Sequence, residues 1–98
     1  MRIALYQPDI AQNTGTILRL AACLGISVDI IGPAGFDMTD RTLRRAGLDY
    51  LEHVSLTRHE SFDTFLAERQ NAPGRLVLLS SHAELPYSDF AFQTSDVL

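Results

Sequence analysis

Asn13 and Arg19 stand six positions apart in the stretch AQNTGTILR, and Arg41, Arg44 and Arg45 fall within five positions of one another in RTLRRAGLD. These are the side chains whose types and spacing could do chemistry. On a helix running from Asn13 to Leu24, Ile17, Leu20, Ala21 and Leu24 share one stripe, which reads as the core face. Arg19 lies opposite among Gly15, Thr16, Ala22 and Cys23, small residues that let a helix or ligand approach closely. Asn13 or Thr14 can cap the helix through a side-chain oxygen, and the first-turn N–H groups and the helix dipole attract an anion there. Chemistry alone leaves two readings open, a capped helix with a surface arginine or a helix that presents a guanidinium to an anionic ligand.

The three clustered arginines recur at i, i+3 and i+4, so on a helix they share a face that could track a phosphate backbone. Asp40 with Arg44 and Arg45 with Asp49 are also i, i+4 pairs, and a salt-bridged solvent face fits them equally well. Other chemistries find no footing. The stretch has neither the G-x-G-x-x-G of a dinucleotide site nor a P-loop, and Ser80, Ser81 and His82 lack a nucleophile elbow. His53, His59 and His82 are scattered and Cys23 is alone, so no metal site is expected. Cys23, Tyr6 and Tyr50 read as packing residues.

The elements that must position these groups follow from hydrophobic pattern and breakers. Arg2–Tyr6 reads as a strand, Pro8 breaks it, and the helix that follows stops at Gly25. Ser27–Ile31 reads as the next strand, closed by the loop GPAGF. A helix is expected from Thr39 or Asp40 to Gly47, a short strand over Leu51–Val54, and a helix capped by Ser61 that carries Phe62, Phe65 and Leu66 and ends at NAPG. Leu76–Leu79 is a continuous apolar run, the pattern of a central parallel strand buried on both faces. Residues 82–95 are turn-rich, and Asp96–Leu98 reads as the opening of another strand. Alternating strands and helices predict an α/β fold, a parallel sheet with helices on both faces.

Ninety-eight residues, 46% apolar and 20% charged, make one ordered folding unit or part of one. The net charge of −4 excludes a globally basic nucleic-acid binder while leaving room for a local patch, and all eight basic residues are arginines. No membrane helix or secretory signal is legible, and the single cysteine fits a reducing compartment, so a cytosolic location is expected.

Taken in order, LYQPDIAQNTGTILRLAACLG, IIGPAGFD and LRRAGLDY resemble the SpoU-type branch of the SPOUT RNA methyltransferases, most nearly the tRNA wobble-position ribose 2′-O-methyltransferases of the TrmL group. The resemblance runs from Met1 to Leu98. It implies a sheet whose C-terminal part is tied into a trefoil knot, a known exception to unknotted chains. S-adenosylmethionine bound in that knot, no metal, a homodimer and a tRNA partner are implied with it. Asn13 and Arg19 become catalytic, with Arg19 engaging an RNA phosphate beside the target ribose and assisting attack by its 2′-hydroxyl. Leu79 matches a position whose backbone lines the cofactor pocket, and Arg41, Arg44 and Arg45 match RNA contacts. The family's second and third motifs would follow Leu98, so the expectation is that residues 1–98 form the N-terminal part of a single methyltransferase domain, inactive alone. The competing expectations are a non-catalytic SPOUT-like module that binds RNA or dimerises, and an unrelated doubly wound small-molecule binder.

Overall fold

The computed structural model describes residues 1–35 and 54–98. Strands β1 (Arg2–Tyr6), β2 (Ser27–Ile31) and β3 (Leu56–His59) form a parallel sheet in the order β1-β2-β3. Helix α1 (Ala11–Leu24) links β1 to β2, and α2 (Phe62–Arg69) follows β3. On the far side of β1, Val97 makes parallel bridges to both Arg2 and Leu76, so the 96–98 segment lies between β1 and the RLVLL run. The strand opening read at Asp96–Leu98 is therefore present.

Side-chain alternation along the strands divides the core in two. Ile3 and Leu5, Val28 and Ile30, and Leu56 turn to one face, where Leu18 and Ala21 of α1 pack on them. Ala4, Ile31 and Val97 turn to the other, against Phe65 of α2. The helices thus cover opposite faces, as the alternation of elements predicts. Ser61 caps α2 as expected, its Oγ accepting from the Thr64 N–H at 3.2 Å. Gly25 ends α1 in the left-handed region at φ 66°, with its N–H directed to the Ala22 carbonyl and the Ile26 N–H to the Ala21 carbonyl.

Several expectations need correction. The buried stripe of α1 is Thr14, Gly15, Leu18 and Ala21, while Leu20 and Leu24 are 52% and 61% exposed. Apolar residues surround this helix, so periodicity could not choose the face. The small Thr14, Gly15 and Ala21 let the backbone sit close to β2, which selects their side. Cys23 and Tyr6 are exposed as well. Residues 51–53 of the strand expected over Leu51–Val54 lie outside the described residues; a strand not expected from the sequence runs over Leu56–His59, a half-polar LTRH run whose buried histidine meets an ionic partner. Leu76–Leu79 is not a buried central strand. A single bridge joins Leu76 to Val97, and Leu78 is 85% exposed, because no further strand among the described residues lies beyond it. The helix expected from Thr39 or Asp40 to Gly47, with Arg41, Arg44 and Arg45, and Tyr50 lie outside the described residues.

Candidate functional site

Helix α1 begins two residues before the expected Asn13. Its N-cap is Ile10, in extended conformation and without a side-chain cap, so Asn13 is the third helical residue and caps nothing. Pro8 keeps the preceding turn out of the helix, and the chain enters the helical region at its first opportunity after it. Thr14 and Thr16 spend their hydroxyls on the carbonyls four residues back, Ile10 at 3.1 Å and Gln12 at 3.0 Å. Asn13, Thr16 and Arg19, spaced three apart, form an exposed strip on the face of α1 turned from the sheet. The strip presents an amide and a guanidinium about 9 Å apart along the helix axis, donors suited to phosphate and ribose oxygens, with the Thr16 hydroxyl between them already donating to Gln12.

A second feature lies beyond the β1 edge of the sheet. The RLVLLSS segment and the turn-rich stretch after it enclose an open groove of about 850 Å³, with Leu76, Leu79, Leu85, Tyr87 and Phe92 on its walls. Leu79 lines it, half-exposed, but neither Asn13 nor Arg19 borders it. The site residues read from sequence therefore occupy two places, the outer strip of α1 and this groove.

The groove's base is held by an ion pair. Arg75 clamps Asp96 with Nε to Oδ1 at 2.9 Å and Nη2 to Oδ2 at 2.8 Å, and the Gln93 N–H also donates to Oδ2. Asp96 is fully buried, and the Arg75 hydrogen bond, set against burial, holds its carboxyl at about 2. The Arg75 guanidinium also lies 5.2 Å over the Phe90 ring, tying the groove's two walls together.

Sequence reasoning missed a second buried ionic cluster, which spans the three strands on the α2 face. Asp29 accepts from Arg2 Nε at 2.8 Å and Nη2 at 3.0 Å, and His59 Nε2 lies 3.0 Å from its Oδ1. His59 Nδ1 lies 3.4 Å from Glu68 of α2, and its ring meets Phe65 edge-on. Burial alone would raise the Asp29 carboxyl, yet the Arg2 and His59 hydrogen bonds outweigh it and the group sits below the usual range. An aspartate inside the apolar strand SVDII was the available signal. Among the described residues no group of three or more His, Cys, Asp or Glu side chains could hold a metal ion, and no helix is long and apolar enough to cross a membrane.

Comparison with known proteins agrees with this architecture. The model of the SpoU rRNA Methylase family matches residues 1–98. A Beijerinckia indica protein named tRNA (cytidine(34)-2'-O)-methyltransferase is 57% identical over 98% of the chain, which spans 60% of that protein. An Escherichia coli K12 protein of the same name is 44% identical over the whole chain, which spans 61% of it. A solved structure described as "Structural insights into the 2-OH methylation of C/U34 on tRNA" superposes with a TM-score of 0.89 at 38% identity, covering 98% of this chain and 62% of that one. The chain thus spans about 60% of the length of the relatives it matches.

Proposed function

The chain belongs to the SpoU rRNA Methylase family, and from that premise we propose that its protein transfers a methyl group from S-adenosylmethionine to a ribose 2′-hydroxyl of tRNA, at the wobble nucleotide of the anticodon. The observation that carries the proposal is the outward strip on α1: Arg19 and an Asn13 not used as a cap, in a chain 57% identical to a tRNA (cytidine(34)-2'-O)-methyltransferase. We read residues 1–98 as the N-terminal part of one such domain, since they span about 60% of the relatives. The same reading makes the enzyme cytoplasmic, with its tRNA. It also makes it a homodimer, which the exposed Ile10, Leu20 and Leu24 on and beside α1 support.

A ribose hydroxyl is a poor nucleophile at neutral pH, so the protein must orient it and ease proton loss. A guanidinium is a poor base; the part of Arg19 is to hold the phosphate beside the target ribose and offset charge growing on the attacking oxygen. Asn13, with both donor and acceptor, orients the ribose on the same strip. Arg41, Arg44 and Arg45 extend the phosphate contacts along the RNA.

The groove suits the proposed cofactor. Its apolar walls of Leu76, Leu79, Tyr87 and Phe92 offer a face for an adenine ring, and its volume lies in the range of small-molecule sites. Bound there, the cofactor supplies an electrophilic methyl group on a sulfonium. Leu79 and its neighbours contribute shape and exclusion of water, and no metal takes part in the proposed reaction.

The test is methyl transfer by the full-length protein from labelled S-adenosylmethionine to unmodified tRNA, with the modified nucleotide mapped. Label is expected on the ribose at the wobble position, and Arg19→Ala should lower kcat about 100-fold or more while leaving the melting temperature within a few degrees. Absence of transfer by the wild-type protein, with tRNA binding intact, would instead favour a non-catalytic RNA-binding module.

A further inference from the structure

The first turn of α1 carries no side-chain cap, so the helix itself does little to fix where that turn sits. The neighbouring loop does. Gln7, at φ 45° the only non-glycine residue with positive φ among the described residues, donates its N–H to the Ile31 carbonyl at 2.8 Å. Two residues later the Asp9 backbone runs against Gly35, whose N–H donates to the Pro8 carbonyl at 2.8 Å.

Gly35 has no positive φ, so conformational freedom does not explain the glycine. Space does: a Cβ at this position would lie 2.9 Å from the Asp9 Cα, and closer still to the Asp9 Oδ1. Gly32 continues the pattern toward β3, with its N–H on the His59 carbonyl at 2.8 Å and room for a Cβ only 3.2 Å from the Glu60 carbonyl oxygen. The ends of the three strands are thus laced backbone to backbone, and the row terminates at the entry to α1.

Building on the methyl transfer proposed above, we infer that Gly35 is a positioning residue for the reaction: its bare backbone seats the Pro8–Asp9 turn and thereby sets the first turn of α1, with Asn13 and Arg19 behind it. Any side chain at position 35 pushes Asp9 outward and carries the helix start with it. Misplacement by about 1 Å can cost on the order of 100-fold in rate, so Gly35→Ala should lower kcat about 10-fold or more. KM for S-adenosylmethionine should change little, because among the described residues the groove is lined by residues 75–92 and Gly35 does not border it.

The experiment compares Gly35→Ala with Gly25→Ala in the full-length protein, measuring kcat per folded molecule, KM for S-adenosylmethionine and amide hydrogen exchange over residues 8–14. Gly25 also matters to α1, but a methyl group there strains the left-handed end of the helix and meets no atom within 4 Å. It should lower the melting temperature without lowering kcat where the protein is folded. The inference is upheld if Gly35→Ala alone loses kcat and exchanges faster in 8–14. Retained kcat in Gly35→Ala overturns it, as does an equal kcat loss in Gly25→Ala. Should the wild-type protein transfer no methyl group, the functional reading fails by itself, and exchange decides the seat: faster exchange confined to 8–14 supports it and unchanged exchange refutes it.

Discussion

A carboxylate closed inside a parallel sheet is stable only when its charge is answered, and Asp29 and Asp96 are answered by arginine forks. Both carboxyls lie below the ordinary range, Asp96 at about 2. A group that ionises more readily when folded contributes stability that is complete above its unfolded value, near ~3.9, and is lost as pH falls through its folded value. The unfolding midpoint in urea should therefore hold from neutral pH down to about 4 and fall as pH drops toward 2. Asp96→Asn should lower the neutral-pH midpoint and flatten the acid limb; an unchanged limb would remove Asp96 as its source. These carboxylates also mark a limit on sequence reading. Arg19 could be singled out because an arginine beside small residues is a local pattern, whereas Asn13, expected as a possible cap, is the third helical residue because the helix starts earlier than its sequence signals suggest. The Arg2–Asp29–His59 cluster joins residues on three strands, and only the odd aspartate in SVDII hinted at it.

Helix α1 shows the same division between local pattern and tertiary choice. Its existence and its stop at Gly25 follow from nearest neighbours, but the face it buries does not, since Ile17, Leu18, Leu20, Ala21 and Leu24 offer two plausible stripes. Contact with Val28 and Ile30 picks Leu18. Leu18→Ala should cost about 2–5 kcal/mol through lost burial and a cavity against β2, read as a fall in the denaturation free energy. Leu24→Ala should cost far less, and equal losses would restore the stripe that periodicity suggested. The β3 strand was missed for a related reason: LTRH has the polarity of a loop until His59 finds Asp29 beneath it. Over the RLVLL run the error was opposite, because an unbroken apolar run cannot tell a strand covered within the described residues from one left open.

At the scale of the molecule, α/β class, parallel pairing and helices on both faces all followed from the alternation of elements, while the place of each strand in the sheet did not. The exposed Ile10, Leu20 and Leu24 bear on assembly. In the full-length protein, Leu20→Asp with Leu24→Asp should convert the proposed dimer to a monomer by sedimentation, and a persistent dimer would exclude this face from the interface. The order of the sheet carries one more consequence. Val97 sits between Arg2 and Leu76, so the neighbour of β1 is among the last residues of this stretch to emerge from the ribosome. Until then the outer edge of β1 stays open, with unpaired amides able to recruit another nascent chain. Closure of that edge requires contacts at nearly the longest separation the stretch allows, which makes it a slow step of folding. Translation speed over residues 75–98, rather than over β1 itself, then governs how long the β1 edge is at risk of aggregation.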